Sequence, residues 1–266
     1  MPTLTVSGMD YHYVERGSGP LLLFGHGTFL DHSLFEGVVD ALAPHYRCVS
    51  LDWPGHGRSG WRPEGWGVAD LVEAIPQLIG KLGEQRATLI GLSIGAAVFL
   101  RVALDYPAVV QRLVYLSASV DPHPPEVADR LVQIAIQLRD GTPDERRALL
   151  SSDAMQALLH APGWRAGNPQ AAERELQIQL GHDREAMPLV ARVVGTLTPA
   201  SGRLHEIRCP MLAIFGDHDP GSRWAEVIAA GVPGARVRVM ENAGHHLPYD
   251  APAQTLREIR EFLNET

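Results

Sequence analysis

Two textures alternate along the chain: short apolar runs with period-two or unbroken hydrophobicity, and longer segments with helical spacing. Residues 3–7 (TLTVS) and 11–16 (YHYVER) flank Gly8 and predict a β-hairpin. LLLFG (21–25) is apolar throughout, the pattern of a strand covered on both faces. SLFEGVVDAL (33–42) has helical spacing, and RCVSLD (47–52) reads as the next strand. VADLVEAIPQLIGKL (68–82) predicts a helix, kinked or broken near Pro76 because proline lacks the N–H the ladder needs. ATLIG (87–91) predicts a strand, IGAAVFLRVALDY (94–106) a helix and RLVYLSA (112–118) a strand. Such alternation implies right-handed crossovers and a mostly parallel sheet flanked by helices, an α/β fold.

From Asp121 to about Ala200 the alternation stops. ADRLVQIAIQLRDG, TPDERRALLSSDAMQALLH and PQAAERELQIQL are amphipathic and helical, with no strand among them. It resumes with a strand in CPMLAIFG (209–216), a helix near 222–230, a strand in RVRVME (236–241) and a closing helix at 252–264. The expected organisation is one α/β core, residues 1–120 and 201–266, with a helical cap at 121–200 inserted after the sixth strand and about the length of a four-helix lid.

Composition narrows the class. The 266 residues carry a formal net charge of −8 and are 45% hydrophobic, so a sizeable core can form and no basic stripe offers itself to nucleic acid or an anionic membrane. The N-terminus lacks a basic segment followed by an apolar one, and the longest apolar stretch, 89–100, is too short to span a bilayer, so a cytoplasmic protein is expected. Cys48 and Cys209 lie in or beside apolar runs and read as free thiols of a reducing compartment. Monomer and homodimer are equally open.

The candidate chemistry begins at Gly91-Leu92-Ser93-Ile94-Gly95, between a predicted strand and a predicted helix. That context is what a G-x-S-x-G nucleophile elbow requires: small residues two places either side let the turn close and push the serine hydroxyl over the sheet edge. A serine hydroxyl needs a base, and on such a fold an acid and then a histidine should follow in chain order. GDHDP (216–220) and AGHHLP (243–248) supply them: His245 as base, Asp219 as the acid that orients it. Asp121, just past the sixth strand, is the rival acid. His246 is expected to be a partly exposed loop residue near the substrate, and Asp217 a turn residue bonding its own backbone. Backbone N–H groups of Ile94 and of Thr28, in the loop FGHGTFLDH, are the expected oxyanion donors. His26 is read as a brace for that loop.

Two patterns mimic other chemistries. GHGRSG (55–60) fits G-x-G-x-x-G, but the turn-like WRPEGWG follows it where a dinucleotide fingerprint must open a helix. Asp217, His218, Asp219, His245 and His246 have metal-ligand side chains, but the triad already explains them. No cofactor and no metal is expected. Phe29, Trp53, Ile134 and Leu138, with His246, are the expected pocket residues, lining a mainly hydrophobic cavity; Trp61 and Trp66 crowd the same loop as Trp53.

Taken in order, HGTFLDHSLF (26–35), LDWPGHGRSG (51–60), GLSIG (91–95), GDHDP (216–220) and AGHHLP (243–248) resemble the α/β-hydrolase fold with a cap over essentially the whole chain. The resemblance implies a Ser93–His245–Asp219 triad with Thr28 and Ile94 at the oxyanion hole. Ser93 argues against the similar haloalkane dehalogenases and epoxide hydrolases, which carry aspartate at that position. The expected activity is hydrolysis of carboxylic esters of small, fairly apolar substrates, with a small-molecule ester or lactone as the only partner. Lactonase, enol-lactonase or carbon–carbon bond hydrolysis would use the same apparatus, and a small-molecule receptor could retain it.

Overall fold

The computed structural model describes residues 2–265. The chain opens with the expected hairpin, β1 (Thr3–Val6) and β2 (Met9–Arg16), turning at Ser7 and Gly8 with φ of 50° and 75°. The core continues through β3 (Leu21–Gly25), α1 (Glu36–Leu42), β4 (Arg47–Leu51), α2 (Val68–Lys81), β5 (Ala87–Leu92), α3 (Ile94–Asp105) and β6 (Val110–Leu116). Six helices follow: α4 (Pro125–Asp140), α5 (Pro143–Leu150), α6 (Asp153–Leu159), α7 (Trp164–Gly167), α8 (Pro169–Gly181) and α9 (Met187–Val194). The core resumes with β7 (Met211–Gly216), α10 (Trp224–Gly231), β8 (Arg236–Met240), α11 (Leu247–Asp250) and α12 (Pro252–Asn264).

The eight strands form one sheet in the order β1-β2-β4-β3-β5-β6-β7-β8. The β1–β2 and β2–β4 pairs are antiparallel; all others are parallel. β3, β5 and β7 are buried along their whole length, as continuous apolar runs covered on both faces require. One core lies on the side of α2 and α3, and the other is filled by α1, α12 and the opposite faces of the strands. Cys48 in β4 and Cys209 ahead of β7 are free, and the sheet order sets their strands four spacings apart, roughly 19 Å, beyond disulfide reach. Among the described residues no helix is long and apolar enough to cross a membrane.

Two expectations are corrected. α2 is not broken at Pro76 but runs through it, because Leu71, Ile75, Leu78 and Ile79 are buried along one face and packing outweighs the lost hydrogen bond. The interval after β6 holds six helices rather than four. The amphipathic run 142–160 is cut in two, since Ser152 caps α6 by accepting the Met155 N–H, while Thr142 and Glu145 form a capping box that starts α5. These helices divide between two cores: Met187, Val190, Ala191 and Val193 of α9 join the main core, whereas Leu138, Leu150 and Leu176 form a small separate cluster.

Candidate active site

All the parallel strands deliver their carboxyl ends to one edge of the sheet. The register sets Gly25 beside Gly91, Leu92 beside Leu116, Leu116 beside Ile214 and Gly216 beside Met240. The loops after β3, β5, β6, β7 and β8 therefore emerge side by side, where open α/β sheets place their ligands.

Ser93 occupies the turn between β5 and α3 at φ 55° and ψ −121°, a strained conformation for a residue with a side chain. Its N–H donates to the Leu116 carbonyl (2.9 Å), and its own carbonyl accepts from Ala97 N–H (2.9 Å). The flanking glycines are obligatory on steric grounds. A Cβ on Gly91 would stand 2.5 Å from the Ala96 nitrogen, and one on Gly95 2.2 Å from the Gly25 carbonyl oxygen. Gly95 thus lets α3 press against the loop after β3, and Gly27 of that loop faces the Ser93 Cβ. Among the described residues, no protein acceptor takes the N–H of Thr28 or of Ile94. Phe29, at φ 62°, instead gives its N–H to His56 Nε2 (3.1 Å).

His26 does brace this loop. Its Nε2 accepts the Trp53 N–H (3.0 Å), its Nδ1 faces the Gly27 carbonyl (2.7 Å), and the Trp53 indole N–H donates back to the His26 carbonyl (2.9 Å). Burial pushes the His26 imidazole down to about 4, so it is neutral near pH 7. GHGRSG forms turns around Asp52: the Arg58 N–H donates to the carboxylate (3.0 Å), and the next helix along the chain, α2, starts only at Val68.

His245 Nδ1 lies 3.0 Å from Asp219 Oδ1, which also accepts the Gly221 N–H (2.8 Å). The acid is buried and His245 about one-fifth exposed. Burial would raise the Asp219 carboxyl; the charge and hydrogen bond of His245, the Gly221 N–H and the nearby Ser117 hydroxyl outweigh it and hold the group below the ordinary carboxylate range. With Nδ1 turned to the acid, Nε2 is the nitrogen left to take a proton. Asp121 is engaged elsewhere. It accepts the N–H groups of Ala200 and Ser201 (2.8 Å each) and the Ser201 hydroxyl (2.6 Å), pinning the chain where it returns to the core. Ser117, at φ 45° behind Asp219, is a neighbour that the sequence pattern did not single out.

Of the expected pocket residues, Phe29, Trp53, Leu138 and His246 are buried and Ile134 is partly buried. Trp53 is 1% exposed and packs beneath β3, so close that a Cβ on Gly25 would meet its ring at 2.6 Å. Phe29 is buried in the main core. Leu138 and the half-buried Ile134 belong to the small cluster among the inserted helices. His246 is not a partly exposed loop residue: it is 2% exposed, with Nδ1 2.6 Å from Glu175 Oε1 of α8. Instead, a groove of about 560 Å³ opens between the loops after β6 and β7, lined by Pro122, His123, Pro124, Arg223, Trp224 and Val227. Asp219 caps the 3-10 turn Pro220–Arg223, which ties this groove to the acid. Of the other tryptophans, Trp61 donates its indole N–H to Asp183 ahead of α9 (2.9 Å), and Trp66 is buried.

The five residues considered as a metal set part company: His245 faces Asp219, His246 faces Glu175, and Asp217 accepts the Ala243 N–H (3.1 Å). Among the described residues two other trios bring ligand atoms together, His12–His32–Asp52 and His160–Glu175–His246. Both are already joined by hydrogen bonds. The two histidine nitrogens on Asp52 lie at 2.8 Å, and those on Glu175 at 2.8 and 2.6 Å.

Comparison with known proteins agrees with this fold. The sequence profile of the alpha/beta hydrolase family matches residues 22–258. Haloalkane dehalogenase 2 of Mycobacterium tuberculosis is 27% identical over 268 residues, covering 94% of this chain and 90% of that protein. A thermophilic esterase from Thermogutta terrifontis superposes with a TM-score of 0.86 at 23% identity, over 98% of this chain and 96% of the esterase. The enol-lactonase from Burkholderia xenovorans gives 0.86 at 22% identity, over 99% and 100% of the respective chains. At such identities these two likenesses speak to the fold.

Proposed function

The chain belongs to the alpha/beta hydrolase family, and from that premise we propose that it is a serine hydrolase cleaving carboxylic esters of small, fairly apolar substrates through an acyl-enzyme. The observation that carries this reading is Ser93 strained at the β5–α3 turn on the same sheet edge as the His245–Asp219 pair. In it, His245 Nε2 takes the Ser93 proton as Oγ attacks the ester carbonyl carbon. Asp219 holds the ring by Nδ1 and offsets the positive charge it gains. The N–H groups of Thr28 and Ile94 receive the oxyanion, at the start of α3 where the helix dipole also favours negative charge. His245 then protonates the departing alcohol, and a water deprotonated by the same nitrogen releases the acid. No step calls for a metal or cofactor.

The substrate would lie in the groove beside Asp219, whose walls are mostly Pro122, Pro124, Trp224 and Val227. Helices α4–α9 would act as the cap over it, residues 121–200 in all. A dehalogenase mechanism is disfavoured, because its alkyl-enzyme ester requires a carboxylate nucleophile and the elbow carries a hydroxyl. The test is hydrolysis of p-nitrophenyl esters from acetate to long acyl chains by the parent and Ser93→Ala. Ser93-dependent release, optimal with short chains, is expected. A folded Ser93→Ala protein as active as the parent would exclude the mechanism.

A further inference from the structure

The residues on either side of His245 are held by one buried polar chain, and that chain runs through the inserted helices. Asp250 Oδ2 accepts the Gly244 N–H (2.7 Å) and the Ala161 N–H (2.7 Å). Asp250 Oδ1 lies 2.5 Å from His160 Nδ1, and His160 Nε2 lies 2.8 Å from Glu175 Oε2. The other Glu175 oxygen meets His246 Nδ1 (2.6 Å), and the His246 N–H donates to the Leu159 carbonyl (3.0 Å). The histidine and carboxylate side chains of this chain are at most 3% exposed. The backbones are packed to match: a Cβ on Gly244 would stand 2.5 Å from the His160 carbonyl carbon. Trp164 stacks on the His160 ring at 3.8 Å with planes 4° apart, and its indole N–H reaches the Tyr249 carbonyl (3.1 Å).

Each nitrogen of His160 faces a carboxylate oxygen, and a carboxylate can only accept. Both nitrogens must therefore carry protons, which makes His160 an imidazolium between two carboxylates. Ionic chains of this kind are a weak source of stability, because desolvation offsets most of the attraction and well-packed apolar side chains would do as well. What an apolar filling could not do is fix the peptide on both sides of His245 in one direction.

We propose that Asp250, His160, Glu175 and His246 form a positioning device for His245, in which the His160 imidazolium ties the catalytic loop to α8 and so holds the base at its working angle. The proposal rests on the serine-hydrolase reading for its catalytic meaning, though not for the existence of the device. The groups facing His160 are Glu175 from α8, Asp250 from α11, and His246 from the loop after β8. Burial works against the charge on His160, but the bonds to Asp250 and Glu175 prevail and raise it to about 9. The device is intact at neutral pH and fails as the pH rises through that value.

The test is ¹⁵N-histidine spectra of the full chain, with His160→Gln for assignment, from about pH 6 to about pH 10, alongside ester turnover by the parent, Glu175→Gln and Asp250→Asn. His160 should be doubly protonated at pH 8, and its deprotonation should move the His245 signals together with an alkaline fall in kcat. Glu175→Gln removes the charge with little change of shape. It should lower kcat about 10- to 100-fold with KM nearly unchanged, as a small misplacement of a catalytic group does, and bring the alkaline fall to lower pH. A residue that merely packs would lower Tm and leave that pH limb in place. A neutral His160 at pH 8 in the parent overturns the proposal whether or not any variant folds. So does a folded Glu175→Gln or Asp250→Asn protein with the parent's kcat and pH profile. A parent without esterase activity would count against the serine-hydrolase reading, while the spectra would still decide whether the imidazolium exists and moves His245.

Discussion

At the scale of single residues, two aspartates of similar promise in the sequence have different work. Asp219 faces His245 at 3.0 Å, and Asp121 holds Ala200 and Ser201. Under the proposed mechanism Asp219→Asn should lower kcat by about 10⁴-fold, since an amide cannot enforce the tautomer or offset the ring charge. Asp121→Asn should leave turnover within a few-fold and reduce stability by roughly 1–2 kcal/mol, the loss of charged hydrogen bonds at a partly exposed site. Steady-state kinetics and urea melts on both variants check the pair; equal activity loss would sink the assignment. Ser93 was legible because its constraint is local, small residues two places either side of a turn. His246 was not, because its partner Glu175 lies 71 residues away and no periodicity reports such a contact. Trp53 misled for another reason: a tryptophan in a loop can cover a pocket or be swallowed by the core, and Gly25 and Phe99, which decide it here, come from β3 and α3.

At the scale of elements, the alternation of apolar runs was enough for the parallel sheet, since each covered strand announces itself by continuous hydrophobicity. The inserted segment was harder. Its helices are short, and their ends are set by individual caps such as Thr142 and Ser152, which a hydrophobic period does not register. Their packing is uneven as well. α9 shares the main core, while the cluster of Leu138, Leu150 and Leu176 is small. Leu138→Ala should therefore act locally. The lost burial and the cavity are worth roughly 2–5 kcal/mol at a core site, more than so small a cluster can absorb. Amide exchange should accelerate across α5 and α8 while β3, β5 and β6 keep their protection. Uniform acceleration through the strands would mean that the inserted helices and the sheet unfold as one unit, and that the proposed cap has no separate stability.

At the scale of the whole molecule, the buried histidines set how stability depends on pH, and they pull in two directions. Burial holds His26, His56, His182 and His246 below the ordinary imidazole range, His26 at about 4. As pH falls below about 6.5 the unfolded chain takes up protons at these positions and the folded chain does not, so stability declines toward acid. His160 runs the other way. The native state holds its proton up to about 9, against about 6.5 when unfolded, so its contribution is complete below the lower value and is lost as pH rises through the higher. His32, raised by the Asp52 carboxylate against the cost of burial, adds to the same limb. Glu175, brought down to about 2 against burial by the His246 and His160 side chains that face it, loses its contribution only in stronger acid. The two sets of histidines meet at the unperturbed value, so unfolding free energy from urea melts should peak near pH 6.5 and fall on both sides. Glu175→Gln should flatten the alkaline side by depriving His160 of one of its carboxylates. A stability that climbs steadily to pH 9 would mean that His160 is neutral in the native state, and the link between the inserted helices and the His245 loop would then be one of packing alone.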